Sequence, residues 1–119
     1  NAKQTMSMSG DELEGLNINF TMGLYNKPGE WYPGKGAQVH PYDACMIFFG
    51  HNTSDLTYLG AEITIELGKE HEKHTFDVPT VVVLPKGTPH FPIVCNKVEK
   101  PYSVMEVGLA SQYRSGRAG

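Results

Sequence analysis

Short segments of alternating polar and apolar residues, separated by Gly and Pro, constrain this chain most strongly. In residues 61–70 (AEITIELGKE) and 18–24 (INFTMGL), apolar side chains recur at every second position. A period of two indicates a half-buried β-strand, and no segment keeps the 3.6-residue apolar period of a helix. Thirteen Gly and eight Pro in 119 residues supply many turns. The pattern predicts an all-β protein, a sandwich or barrel of seven or more strands with little helix.

Two further segments are apolar without alternation. Residues 37–50 (AQVHPYDACMIFFG) start polar and become continuously apolar, and residues 80–84 (TVVVL) are β-branched. Such runs are typical of strands covered on both faces. If residues 38–44 form one strand, Gln38, His40, Tyr42 and Ala44 share a face. Residues 91–94 and 102–109 complete the set of predicted strands.

The length predicts one domain, because 119 residues can bury one core but not two. We expect an N-terminal arm over residues 1–16, a single barrel domain over 17–110 and a tail over 111–119. The polar residues 1–12 and the tail are expected to be loosely ordered.

Composition narrows the classes of partner. The net charge is −3 and the basic residues are scattered, which argues against nucleic acid binding. The chain has no apolar run long enough for a membrane span and no basic, then apolar, signal-peptide pattern. Two cysteines, Cys45 and Cys95, are too few for a disulfide framework and predict free thiols in a reducing, cytoplasmic compartment. We expect a homodimer in which the strand over residues 18–24 pairs with or packs on the partner, because small barrels must cover their sheet edges.

His90 is the first candidate for chemistry. It follows the turn Pro85-Lys86-Gly87 and lies between two apolar stretches. Pro presets φ and Gly adopts conformations that other residues resist, so the turn fixes the direction in which the next strand starts. His90 therefore points either into the sheet, as a ligand, or to its rim, as an ordinary loop histidine.

The other histidines and the cysteines give weaker signals. His40 stands at the start of the most apolar segment, where a metal ligand and a surface histidine before a proline are both possible. His71, His74 and His51 lie in polar segments and are interpreted as solvated loop residues. Burial as small apolar side chains is the default interpretation of both cysteines.

Taken together, these segments resemble the cupin superfamily. The second cupin motif, in outline Pro-x-Gly-x-x-His, is similar to VPTVVVLPKGTPH, with Pro85, Gly87 and His90 at its positions. The first motif is similar to QVHPYDACMIFFG, with His40 at its second histidine and Gly50 near its closing glycine. The resemblance covers about residues 18–108 and implies a double-stranded β-helix, the jelly-roll barrel of cupins.

The resemblance also implies a site. Many cupins hold Zn, Fe, Mn, Ni or Cu in the barrel, and His40 and His90 fall at ligand positions. Gln38 stands where the first histidine belongs, and the glutamate position falls on Ala44 or Cys45. Asp43, if the strand bulges, or the Cys45 thiolate could supply a further ligand.

The sequence therefore predicts a cupin-domain protein that binds a small molecule, and one divalent metal through His40, His90 and Gln38. The alternative is a metal-dependent enzyme of the oxygenase, isomerase or lyase class with a nonstandard ligand set. A third interpretation is a structural or regulatory dimerisation domain.

Overall fold

A computed structural model describes residues 2–31 and 36–117 of the chain, and within them strands dominate. One 3-10 turn, Gly10–Leu13, is the only helical element of the described residues. The strands are β1 (Gln4–Met8), β2 (Asn19–Tyr25), β3 (Gly29–Glu30), β4 (Gln38–Val39), β5 (Ala44–Phe49), β6 (Ala61–Leu67), β7 (Glu72–Phe76), β8 (Thr80–Leu84), β9 (His90–Val98), β10 (Tyr102–Gly108) and β11 (Gly116–Arg117).

The strands form two antiparallel sheets. The five-stranded sheet has the order β1-β2-β10-β5-β8. The six-stranded sheet has the order β11-β4-β9-β6-β7, with β3 also on β9. Sequence neighbours rarely pair, as expected when the chain crosses repeatedly between the two layers of a jelly roll. The predicted all-β barrel is confirmed.

The core lies between the two sheets. Alternate residues of β5 and β6 point into it, so Phe48, Ile63 and Ile65 have no exposed surface. Aromatic rings are part of this core, where Tyr25 stacks on Trp31 with ring centroids 4.1 Å apart. Burial of these side chains is the main force that holds the sheets together.

Strand β2 turns its polar side towards the barrel interior and its apolar side outwards, the reverse of an ordinary amphipathic strand. Asn19, Gly23 and Tyr25 are buried in the barrel, whereas the apolar Phe20, Met22 and Leu24 point away from it and are only half-buried. The alternation of residues 18–24 was correct as a strand signal. The apolar face, however, is the outer face.

Strand pairing extends close to both limits of the described residues, further than expected. Gln4–Met8 pairs with β2, so part of residues 1–12 is an edge strand of the sheet. Gly116–Arg117 pairs with β4. Since β2 is hydrogen-bonded to β1 on one side and β10 on the other, it has no free edge, and the expectation that it could pair with a partner's strand is wrong.

The predicted strand over residues 38–44 is divided in two. Gln38 belongs to β4 in the six-stranded sheet and Ala44 to β5 in the five-stranded sheet, and His40 lies in the crossing between them. These residues therefore do not share one strand face. Among the described residues, no helix is long and apolar enough to span a membrane. The compartment stays a prediction.

Candidate metal centre

The turn before His90 sets the position of that side chain. Thr88 N–H donates to the carbonyl of Pro85 at 2.9 Å, and Gly87 has φ +80°, a left-handed conformation that glycine adopts without steric cost. β9 begins at His90, whose exposed fraction is 1%. The turn and the strand together point this imidazole into the barrel.

The same turn holds His40. Gly87 N–H donates to the carbonyl of His40 at 3.0 Å, which ties the crossing segment to the turn before His90. The two imidazoles are consequently neighbours, with ring centroids 4.8 Å apart and an angle of 28° between their planes. The expectation that His40 and His90 lie close together inside the barrel is confirmed.

A third donor comes from β10. Glu106 is opposite Met46 of β5 and Thr21 of β2, so it lies on the barrel side of the five-stranded sheet. Its Oε2 is 3.3 Å from His40 Nε2. One donor atom from each of His40, His90 and Glu106 lies within 4.8 Å of the other two.

The hydrogen bond of the other ring nitrogen fixes the tautomer of His40. His40 Nδ1 is 2.7 Å from the carbonyl oxygen of Arg114. A carbonyl only accepts, so Nδ1 carries the proton and donates it. The Nε2 lone pair of the neutral ring then faces the Glu106 carboxylate.

The contact between Nε2 and Oε2 is unusual for a protein interior. Both atoms are buried, and neither has a hydrogen-bond partner in the described residues, although their 3.3 Å separation is short enough for an ion pair. Two acceptors facing each other in a buried site are unfavourable unless a cation or a proton lies between them. Burial lowers the pKa of His40, but Glu106 and the Arg114 carbonyl outweigh it, so the pKa is raised overall.

His90 behaves in the opposite way. Burial lowers its pKa and outweighs the opposing effect of Glu106, while the neighbouring His40 lowers it further and the Thr88 carbonyl raises it slightly. A lowered pKa favours the neutral imidazole of His90, which has a lone pair available. Two imidazoles and one carboxylate are donors that suit a divalent first-row transition metal.

The geometry fits a metal ion after a small adjustment. Metal–ligand bonds of about 2.0–2.2 Å separate two ligand atoms by no more than about 4.4 Å. The 3.3 Å contact between Glu106 and His40 already satisfies this limit. The widest separation within the group, up to 4.8 Å, requires a side-chain shift of less than about 1 Å.

A cavity of about 530 Å³ adjoins the site. Glu106 and Gln38 both line it, so the cavity reaches the site through the Glu106 carboxylate. Tyr25 and Trp31 also line it. The cavity has the size of a small-molecule site, with aromatic walls and a few polar groups.

The other residues predicted as ligands have different positions. Gln38 pairs through its backbone with His90 and lines the cavity, and its role as a ligand stays a prediction. Asp43 is exposed and its Oδ1 accepts from Lys86 N–H at 2.8 Å, so it does not reach the site. The residue at the position expected for glutamate, Ala44, is buried, whereas Cys45 points to the outer face of its sheet.

The remaining histidines are ordinary polar residues, as expected. His71 and His74 lie at the surface, 3.3 Å from Glu66 and 2.7 Å from Glu72 respectively. His51 is hydrogen-bonded to Ser103 Oγ at 2.7 Å.

Glu106 was missed from the sequence. The one available signal was its charge, which stands alone in the apolar segment YSVMEVG at a position that faces the core. Its proximity to His40 depends on the pairing of β10 with β5 and β2, which residue spacing does not reveal.

The fold is that of a cupin jelly-roll barrel. Three solved structures of Bacillus subtilis oxalate decarboxylase, a cupin-fold protein, each match 98% of this chain, with TM-scores of 0.65, 0.67 and 0.66. Their sequence identities to the chain are 12%, 11% and 10%, so the similarity concerns the fold. The third is described with Mn(II) centres. This chain spans 28% of the length of each. No family model and no curated protein matches the sequence.

Proposed function

We propose that this chain binds one divalent transition metal ion through His40, His90 and Glu106, and a small organic molecule in the adjoining cavity. The observation that carries the proposal is the buried contact between His40 Nε2 and Glu106 Oε2, two atoms without hydrogen-bond partners. A metal ion bound to both atoms would remove the electrostatic conflict and satisfy the otherwise unpaired donor atoms. The Mn(II) centres of the structurally similar oxalate decarboxylase are consistent with a metal here.

The chain's own residues would act as follows. The Arg114 carbonyl keeps the proton on His40 Nδ1 and so orients Nε2 towards the metal, as the hydrogen-bond partners of metal-bound histidines usually do. His90 supplies a neutral imidazole, and Glu106 supplies negative charge that offsets part of the charge of the ion. The ion itself would act as a Lewis acid that polarises a bound oxygen or nitrogen group.

The cavity favours a ligand with little negative charge. Its charged residues are the carboxylates Glu12 and Glu106, and no basic side chain occurs among its described lining residues. Its apolar wall includes Tyr25, Trp31 and Phe91, on which a flat or apolar group can pack. A small dianion such as oxalate would have only the metal to offset its charge. We therefore infer a neutral or singly charged ligand.

A metal-dependent enzyme of the oxygenase, isomerase or lyase class is the second candidate. It is favoured by one observation: three protein ligands leave coordination positions open, and Glu106 places the ion at the wall of the cavity. Sites with two histidines and one carboxylate on the same side of the ion are typical of non-haem iron enzymes.

Calorimetric titration of the metal-free protein with Mn²⁺, Co²⁺ and Zn²⁺ tests the metal site. We expect one ion per chain, with binding abolished in His40→Ala, in His90→Ala and in Glu106→Gln. The double variant His40→Ala/His90→Ala should be no worse than either single variant, because all act on one binding event.

The control is the double variant His71→Ala/His74→Ala, which removes the two exposed histidines. It should bind as the wild type does. Additive losses in the site variants, or loss of binding in the control alone, contradict the proposal. A thermal-shift comparison of oxalate with neutral aromatic and hydroxylated compounds, each with saturating metal, tests the ligand class.

A further inference from the structure

The outer face of the five-stranded sheet is apolar across all five strands. We use "outer face" for the side chains that point away from the six-stranded sheet. The strand registers place these residues in rows that cross the whole sheet. One row is Met6, Met22, Met105, Ile47 and Val81, and the next is Met8, Phe20, Val107, Cys45 and Val83.

These rows are accessible in the single chain. Met6 is 52% exposed, Val81 56% and Val83 66%. The inner strands contribute half-buried residues such as Met22 and Ile47. None of the ten side chains carries a charge. Contiguous apolar patches of this size on a single folded chain usually mark an interaction surface.

The other sheet provides an internal comparison. The outward residues of β6 and β7 are polar, and they include Glu62, Thr64, Lys73 and Thr75. Thr64 and Thr75 share a hydrogen bond of 2.7 Å. One sheet of this molecule therefore has the usual solvated outer face, and the other does not.

We infer that the outer face of the five-stranded sheet packs against the same face of a second copy of this chain. Two sheets that pack face to face lie about 10 Å apart and interdigitate their apolar side chains. The same patch then serves both copies, as in the two-fold symmetric dimers that are most common among oligomers. This interface is independent of the metal and ligand proposed above.

The area suffices for a specific dimer. Five strands about 4.8 Å apart and about five residues long, at about 3.4 Å per residue, give a flat area of about 400 Å². Side chains make the accessible area larger than this plane, so two copies together bury on the order of 1,000 Å². That is about the minimum for a biological interface.

Charge favours a copy of the same chain over a different partner. The chain has a net charge of −3, and a contact through these uncharged rows brings no like charges of the two copies together. The two rows form such a surface and carry no charge pattern that a foreign partner would complement. Both copies lose exposed Met and Val side chains in the same contact.

Light scattering during gel filtration at micromolar concentration tests the interface. We expect the wild type at twice 13.1 kDa and the variant Val81→Lys/Val83→Lys at 13.1 kDa, with an unchanged far-UV spectrum. The matched control is Thr75→Lys, which creates the same arrangement of two lysines, with Lys73, on the edge strand β7 of the other sheet. The control should remain dimeric.

A monomeric wild type, or a dimer that persists in Val81→Lys/Val83→Lys, overturns the inference. If that variant fails to fold, methionine oxidation by peroxide in the unaltered protein decides. Oxidation of Met6 should slow severalfold when the concentration rises from nanomolar to micromolar, whereas the buried Met46 should react slowly at both. Equal rates of Met6 oxidation at the two concentrations refute the interface.

Discussion

The substitution Glu106→Gln separates metal binding from folding, because it removes the charge of the site and keeps the size of the side chain. A metal present at 100 times its dissociation constant stabilises the wild type by about 2.7 kcal/mol. For a domain of this length, that free energy corresponds to a rise in melting temperature of roughly 8–13 °C. The metal should stabilise the variant little or not at all, since the remaining protein ligands are two neutral imidazoles.

Without metal, the effect of Glu106→Gln on the stability of the fold should depend on pH. The pKa of His40 is raised in the folded protein, largely because Glu106 and the Arg114 carbonyl outweigh burial. The His40–Glu106 ion pair therefore stabilises the fold below the ordinary histidine pKa, and this contribution is lost as pH rises through the raised pKa. Glu106→Gln should destabilise the metal-free protein near pH 6.

At a pH above the raised pKa, His40 is neutral, and the glutamine amide can donate to Nε2 where the carboxylate cannot. Glu106→Gln should then be neutral or stabilising, by up to about 1 kcal/mol. The assay is thermal unfolding in a chelator at both pH values, and with saturating Co²⁺ near pH 8.

The chain contains a matched control, Glu66→Gln. Glu66 Oε1 is also 3.3 Å from a histidine nitrogen, Nδ1 of His71, but that histidine is 65% exposed. This substitution should change stability by less than about 1 kcal/mol and leave the effect of the metal intact. Equal stabilisation of wild type and Glu106→Gln by metal, or a large loss of stability at both pH values, would refute the reasoning.

Three further predictions concern the barrel and its thiols. Gly50→Ala should lower the free energy of unfolding by about 2 kcal/mol or more, as overpacking of a core does. The reason is that a Cβ at this position would lie 2.2 Å from the Tyr58 carbonyl oxygen, and chemical denaturation measures the loss. Cys45 and Cys95 should react with a thiol reagent only after unfolding, because Cys95 is buried, Cys45 is half-buried and lies in the proposed dimer interface, and burial raises the pKa of both. A mass lower by two hydrogens in the non-reduced protein would indicate a disulfide instead. Metal affinity should fall as pH drops through the raised pKa of His40, because protons compete for Nε2; a flat calorimetric profile from pH 8 to pH 6 would exclude His40 as a ligand.

The alternating pattern predicted the strands well, but it predicted less well which face of each strand points into the barrel. For β6 the simple rule holds: Ile63 and Ile65 are buried, and Glu62 and Thr64 point outwards. For β2 the rule fails, because periodicity states which residues share a face but not which face is inside. The polar face of β2 lines the cavity, and its apolar face belongs to the proposed dimer interface.

The continuous apolar segments also have an apolar face that the single barrel leaves uncovered. β5 and β8 were expected to be covered on both faces, yet Val81 and Val83 are exposed in the single chain. A second copy on that face would supply the missing cover. The sequence pattern is thus consistent with the proposed dimer.

The site was predicted in part. The turn before His90 and the resemblance to the cupin motifs placed His40 and His90 together. Asp43 and Cys45 were open alternatives as further ligands, but one is bound to the Lys86 backbone and the other points outwards. Glu106, the charged residue of the candidate site, lies on β10, which follows both motifs in the chain.

A crystal structure of the protein grown with Mn²⁺ or Co²⁺, with anomalous differences measured at the absorption edge of the metal, tests the central claim most directly. We predict one strong peak per chain, about 2.0–2.3 Å from His40 Nε2, from a carboxylate oxygen of Glu106 and from a ring nitrogen of His90. A peak at His71 or His74 instead, or an ordered pocket in which His40 and Glu106 remain in contact without a metal peak, would contradict the account.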